Sequence, residues 1–302
     1  MSLIQDIRQF AKSSLTQAKQ KYDDFNIYDF ASQQLNLRTA KTGFSLSEDI
    51  DYGEHPRQCF DLYYSDQPRA DQAIIVFVHG GTWARGDKSD YLFLAESFTQ
   101  SGFHVAVINY RLAPVHQFPD FVDDLVLALN HLSMHQQELD ISMQHVILMG
   151  HSAGGFNVMS ALYSPTDYEL LCRANIRAVV GLAGPYHFKY VGDASLEKAF
   201  NKAIDYQTVM PYYFVQHNQI EHILLLAQND VMVAAQNTKD MHQALLDQGN
   251  SSRIVTIPRT GHVTLVGSVS SHFARYFKTK KVILTHIEAS LRHFQLEDQT
   301  KT

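Results

Sequence analysis

The sequence has little cysteine: Cys59 and Cys172 are the two in 302 residues. Two cannot build the cross-linked framework of a small secreted domain, and a chain this long has no need of one. Long basic runs are also missing, and with a formal net charge of −6 nothing recommends a nucleic-acid partner. No apolar run approaches the ~20 residues that cross a bilayer. The first 28 residues lack the apolar core of a signal peptide, because Gln, Lys, Asp and Ser recur through them. These absences predict a cytoplasmic protein with no membrane span. Internal repeats and low-complexity tracts are absent as well.

What is there is an alternation of two periods. Ile4, Ile7, Ala11, Leu15, Ala18 and Tyr22 recur at helical spacing and predict an amphipathic helix that packs on the body, its polar face being mixed in charge rather than basic. Residues 1–45 are therefore expected to form an N-terminal helical segment and 46–302 the main domain. Within that domain the continuous, β-branched-rich run at 74–78 reads as a strand buried on both faces, the short apolar run at 145–149 and the late core run at 223–227 as further strands, and 253–257 as one more strand-like run. Between and after them come helical patterns: Tyr91, Leu94, Ala95 and Phe98; Phe121, Val122, Leu125, Leu129 and Leu132; Ile283, Ile287, Leu291 and Phe294. Such alternation predicts an α/β fold, a mostly parallel sheet with right-handed crossovers and helices on both faces.

The most informative stretch is Gly150-His151-Ser152-Ala153-Gly154, a G-x-S-x-G directly after the run at 145–149. A serine on so tight a strand-to-helix turn needs neighbours without side chains, and its hydroxyl then stands at the carboxyl end of the sheet. The run at 74–78 ends in His79-Gly80-Gly81-Thr82-Trp83. A glycine pair there lets successive N–H groups converge on one cavity, as an oxyanion requires. Gly81 and Thr82, with Ala153 next to the serine, are the expected donors. Downstream, Asp230 follows the strand at 223–227 and His262 follows the one at 253–257. Serine, acid and base thus fall in the chain order of hydrolases with this elbow. Asp240 and Asp247 also lie between serine and histidine, but in a helical pattern with Met241, Leu245 and Leu246, so Asp230 is the expected acid.

With these motifs in place the chain resembles α/β-hydrolase-fold serine esterases of the carboxylesterase group, which includes hormone-sensitive-lipase-like and arylformamidase-like enzymes. Residues 52–58, Phe60-Asp61-Leu62-Tyr63, the Tyr110-Arg111-Leu112-Ala113-Pro114 segment with Phe118-Pro119 and Asp123-Asp124, Leu182-Ala183-Gly184-Pro185-Tyr186 and Gly261-His262 carry the likeness over roughly residues 50–295. Where many lipase-like members have a third glycine this chain has Thr82-Trp83, closer to formamidase-like members. Ala227-Gln228-Asn229, without the family's frequent glycine, precede Asp230. The resemblance implies a hydrolase of small carboxylic esters working through Ser152, His262 and Asp230, without a cofactor. An arylformamidase cleaving an N-formyl bond is the alternative that Trp83 favours. A non-catalytic interaction protein on this scaffold is a third reading, against which the retention of all these residues argues.

The least regular region, 192–217, contains Tyr206, Tyr212, Tyr213 and Phe214 and is a candidate lid or pocket wall. Trp83, His151, Tyr186, Tyr212 and Tyr213 are the expected pocket residues. His131 and His135, four apart on a predicted helix, invite a metal, but no third ligand accompanies them, so no metal is expected.

Overall fold

The computed structural model describes residues 32–301; the amphipathic pattern between Ile4 and Tyr22 lies outside the described residues. Among these, eight strands form one sheet: β1 (Phe44–Asp51), β2 (Cys59–Ser65), β3 (Ile74–Val78), β4 (His104–Ile108), β5 (Val146–His151), β6 (Ile176–Leu182), β7 (Glu221–Ala227) and β8 (Ser252–Ile257). Their order is β1-β2-β4-β3-β5-β6-β7-β8. The β1–β2 and β2–β4 pairs are antiparallel and every later pair is parallel. The principal helices are α1 (Leu92–Thr99), α2 (Asp120–Met134), α3 (Ala153–Leu162), α4 (Ala235–Asp247), α5 (His262–Gly267) and α6 (Thr279–Lys301).

Each strand from β3 to β6 is buried along its whole length, as a parallel sheet covered on both faces must be. Alternate residues divide between the two covers. Ile74, Val76 and Val78 join the core beneath α2, α3 and α4. Ile75 and Phe77 join the core beneath α1, α5 and α6. This is the mostly parallel sheet with helices on both faces expected from the alternating pattern, and the α/β-hydrolase architecture that the resemblance implies. One detail differs: residues 52–58, which resemble an opening strand, form the loop between β1 and β2, closed by Tyr52 N donating to the Gln58 carbonyl at 2.8 Å.

The topology gathers the functional candidates. The chain leaves β3, β5, β7 and β8 at the same edge of the sheet, where ligands of open α/β sheets sit. Because β3 and β5 are hydrogen-bonded neighbours, with Val78 opposite Gly150, the turns that follow them are adjacent.

Candidate active site

Ser152 stands between the last residue of β5 and the first of α3, with φ 53° and ψ −120°. A non-glycine residue held at positive φ is strained, and the packing shows why no other path is open. A Cβ on Gly150 would lie 2.3 Å from the Gly154 carbonyl oxygen, and one on Gly154 would lie 2.0 Å from that of Val78. The two glycines of G-x-S-x-G answer to one contact, the crossing of α3's first turn over β5 and β3. Ser152 N donates to the Leu182 carbonyl at 2.9 Å, and the Ser152 carbonyl accepts from Gly155 N at 2.9 Å.

Asp230 and His262 form a hydrogen-bonded pair, and His262 lines the same cavity as Ser152. His262 Nδ1 donates to Asp230 Oδ2 at 2.8 Å, while Asp230 Oδ1 accepts from the amides of Met232 and Val233, each at 2.9 Å. Burial pushes the Asp230 carboxyl up, but the bond and charge of His262 and the two amides outweigh it and hold the group below its ordinary value. Nε2 of His262 is buried and has no hydrogen-bond partner among the described residues, and His262 lines the same cavity as Ser152. The other candidate acids are engaged elsewhere on α4. Asp240 accepts from His187 at 2.6 Å and Asp247 from Gln243 at 2.7 Å.

The turn after β3 runs through three successive positive-φ residues, Gly81 (124°), Thr82 (52°) and Trp83 (58°). A Cβ on Gly80 would come within 3.0 Å of the Ser152 Cβ, so the absence of a side chain lets this turn close against the serine. Thr82 and Ala153 line the cavity with Ser152 and His262. Ala153 is the first residue of α3, so its N–H has no intrahelical acceptor, and the helix dipole adds positive potential there. Gly81 sits behind this wall, where a Cβ would lie 2.1 Å from the Arg85 carbonyl oxygen.

A network that sequence reasoning did not find holds this turn from below. His79 Nδ1 donates to the Gly80 carbonyl at 2.7 Å, and the Tyr110 hydroxyl donates to the His79 carbonyl at 3.0 Å. Arg57 ties the ring together, donating to the carbonyls of Tyr110 at 2.7 Å and Gly86 at 2.8 Å and to Asn109 Oδ1 at 3.2 Å, with His79 Nε2 3.4 Å away. Burial pushes the His79 imidazole down to about 4, so at neutral pH it is uncharged and its Nε2 faces the guanidinium as an acceptor. The Arg111 and Asp124 of the matched segments pair at 2.8 Å and are structural, with Gln58 Nε2 donating to Asp124 Oδ1 at 2.7 Å.

The cavity, about 500 Å³, is walled by Trp83, Phe188, Leu196, Met232 and Val233 among others. Of the five expected pocket residues it takes only Trp83, which is itself buried and donates from Nε1 to Asn157 Oδ1 at 2.8 Å. His151 instead lies under His262, ring centroids 4.9 Å apart, donating from Nε2 to the His262 carbonyl at 3.1 Å. Burial and the neighbouring imidazole push His151 down to about 3. Tyr186 is packed beneath the sheet edge, where its hydroxyl would lie 2.0 Å from a Cβ on Gly181. Tyr212 and Tyr213 gather around His187, with Tyr212 stacked on its ring at 4.1 Å and the Tyr213 hydroxyl 2.9 Å from its Nε2. Of 192–217, only the first part reaches the cavity, through Asp193, Ser195, Leu196 and Lys198. No periodicity marks Phe188, Met232 or Val233, because side-chain direction in irregular loops is set by the tertiary fold.

His131 and His135 stack on each other, centroids 4.4 Å apart. Among the described residues no group of three or more His, Cys, Asp or Glu is placed to hold a metal, and no helix is long and apolar enough to cross a membrane.

Comparison with known proteins bears on the family and the fold. The chain is 28% identical to the probable isoprenylcysteine alpha-carbonyl methylesterase ICME of Oryza sativa subsp. japonica, over 51% of this chain and 38% of that one. It is 25% identical to the kynurenine formamidase of Meyerozyma guilliermondii, over 82% of this chain and 96% of that one. The chain spans half or less of the length of several curated relatives it matches, such as the plant methylesterases. Among solved structures, the inhibited esterase B of Lactobacillus Rhamnosis superposes with a TM-score of 0.76 at 16% identity, covering 95% of this chain and 99% of that one, a likeness of fold. The BD-FAE family model matches residues 60–245, more than half of the sequence, and the chain belongs to this family of α/β-hydrolase-fold proteins.

Proposed function

We propose that this chain is a serine esterase that hydrolyses small carboxylic esters. The observation that carries the reading is the shared cavity: it is lined by Ser152, held at positive φ, and by His262, which is paired to Asp230 through Nδ1 and has Nε2 unengaged among the described residues. In the proposed cycle His262 Nε2 takes the proton of the Ser152 hydroxyl as Oγ attacks the ester carbonyl carbon. Asp230 keeps the Nδ1–H tautomer and stabilises the imidazolium. The N–H groups of Ala153 and of the turn at Gly81-Thr82 hold the oxyanion, each worth about 3–4 kcal/mol of transition-state stabilisation. The imidazolium returns its proton to the departing alkoxide. Water, deprotonated by His262, then cleaves the acyl-enzyme to release the acid and restore Ser152.

A mostly apolar cavity of about 500 Å³ suits a short acyl group, and the sequence has no recognisable long hydrophobic lid. Formamide hydrolysis by the same groups is the second reading, supported by Trp83 in the wall and by relatives named kynurenine formamidase. A fluorophosphonate probe should label the wild-type protein and leave Ser152→Ala unlabelled; unchanged labelling of the variant removes Ser152 from the role. Purified protein should turn over soluble short-chain aryl esters faster than emulsified long-chain triglycerides and faster than N-formylkynurenine. Dominant formamide turnover would reverse the ranking of the two readings.

A further inference from the structure

Charge is unevenly spread along this chain. Of its 31 acidic residues none falls between Gln248 and Ile287, whereas Arg253, Arg259, Arg275, Lys278, Lys280 and Lys281 all do, in a protein of formal net charge −6. Two of these cations are used internally: Arg253 pairs with Glu221 and Lys280 donates to the Ser97 carbonyl. The other four are exposed, and no carboxylate among the described residues pairs with them. Glu288, which lines a shallow groove with Lys281, is held by Arg69. The fold gathers the four where the chain passes from β8 through α5 into α6. Arg259 donates to the Tyr276 carbonyl at 3.0 Å, and the Arg275 guanidinium lies 4.6 Å from the centre of the Tyr276 ring. Lys278 and Lys281, three apart, share a face at the start of α6, where Val282 N donates to the Lys278 carbonyl at 2.8 Å. Positive charge at a helix N-terminus opposes the macrodipole. Folding therefore gives no reason for lysines there, and Tyr276, 55% exposed, gains nothing from the core.

We infer that this corner, formed by Arg259, Arg275, Tyr276, Lys278 and Lys281, docks the protein on an anionic phospholipid surface. Charge complementarity selects an anionic partner, and the exposed tyrosine selects a bilayer. Its ring has an apolar body and a polar tip, as headgroup depth requires, and the long stems of lysine and arginine lie against apolar surface while their charges stay at the phosphates. One face of the Tyr276 ring is already taken by Arg275, which suits insertion among headgroups better than the stacking of a nucleobase. Each lysine or arginine close to an anionic leaflet strengthens binding about fivefold, so four give several hundredfold. That is enough for reversible docking and too little for permanent anchorage. Arg259 leaves β8 at the carboxyl edge of the sheet, three residues before His262, so the docked corner belongs to the edge that carries the candidate site. On the proposed activity, esters gathered at the membrane surface are then the substrates nearest to Ser152.

Sedimentation of the full-length protein with vesicles tests this. Vesicles of phosphatidylcholine with about one-third phosphatidylserine should bind it at low salt and release it near 0.5 M salt, where the Debye length is roughly 4 Å, and vesicles of phosphatidylcholine alone should not bind it. Lys278→Gln with Lys281→Gln should weaken binding about twenty-five-fold without lowering the melting temperature, since both changes relieve the helix dipole. Lys202→Gln with Lys239→Gln, the same loss of charge at exposed lysines elsewhere, should leave it unchanged. Tyr276→Ser should weaken it severalfold at constant charge. Absence of binding by the parent protein, or equal loss in the two double variants, overturns the inference. So does retention on immobilised heparin or polyglutamate with no binding to the vesicles, which would assign the corner to a nucleic acid or an acidic protein. None of these readouts uses ester turnover, so the docking and the esterase reading can fail separately.

Discussion

Replacing Gly154 by alanine is the most direct test of how the site is held. The new Cβ would stand 2.0 Å from the Val78 carbonyl oxygen, 2.5 Å from its carbon and 2.6 Å from the His79 carbonyl oxygen. All three are backbone atoms at the end of β3, which is buried throughout and paired on both sides, so none can rotate away. Reaching a separation of about 3.5 Å requires α3 and the end of β3 to part by roughly 1.5 Å. Overpacking of this kind costs about 1–3 kcal/mol. It also separates the two turns that would share the oxyanion, and a misplacement of about 1 Å costs on the order of a hundredfold in rate. We expect Gly154→Ala to lower the melting temperature by several degrees and kcat for a short aryl ester by about a hundredfold, with KM less affected. Gly261→Ala is the control. Its Cβ meets nothing closer than the Asn229 carbonyl oxygen at 3.5 Å, so its melting temperature should match the parent. A Gly154→Ala protein with wild-type melting and turnover would falsify the account of the elbow.

Asp230→Asn should leave the fold and probe access largely intact but lower kcat by about three to four orders of magnitude, as loss of the orienting carboxylate does in other triads; Asp240→Asn should retain most activity, and the reverse pattern in ester turnover would move the acid to α4. Acid should destabilise the fold early. Burial sets the imidazoles of His79 and His222 down to about 4 and that of His151 down to about 3, while in the unfolded chain they titrate near 6.5. Below about 6.5 the unfolded state therefore takes up protons that the folded state refuses. Stability is full above that pH and falls toward pH 4, by up to on the order of 3 kcal/mol per histidine; denaturant midpoints that stay flat from pH 8 to 4.5 would refute this. Trp83→Phe strands the buried Asn157 amide, which accepts from Nε1 at 2.8 Å, and should cost about 1–3 kcal/mol, while adding Asn157→Leu should recover much of the loss; denaturation of the single and double variants decides it.

The strands bearing the candidate groups were legible because those before Ser152, Asp230 and the Gly80–Gly81 turn are largely apolar runs ending at a glycine or a polar loop, and β8, Ser252–Ile257, alternates polar and β-branched residues. Residues 74–78 coincide with β3, and the runs at 145–149, 223–227 and 253–257 lie within two residues of β5, β7 and β8. Ser152, Asp230 and His262 could be named for the same reason: each follows a strand closely, so chain order stood in for spatial order. Arg57 could not be read this way. Its partners Asp87, Gly86, Asn109 and Tyr110 lie 29 to 53 positions away, and nothing in local composition announces a side chain that joins two distant segments to its own loop. Tyr212 and Tyr213 mislead for a related reason. They lie in an irregular segment near the carboxyl edge, yet the His187–Asp240 pair draws them to another place.

One part of this site is rigid and another must be propped. Ser152 and the Gly80–Trp83 turn hang from adjacent strands, so their separation is fixed by the ~4.8 Å spacing of a hydrogen-bonded pair and locked by the Gly154–Val78 approach. Three strain-bearing residues, Thr82, Trp83 and Ser152, are affordable there because the packing around them is over-determined. His262 has no such anchor. Its strand, β8, is three places from β5 in the sheet, roughly 14 Å at that spacing, and a loop and a one-turn helix must carry the imidazole back. The contacts that hold it are accordingly of other kinds: Asn229 N donating to the Thr260 carbonyl at 2.8 Å, Asp230 on Nδ1 and His151 on the His262 carbonyl.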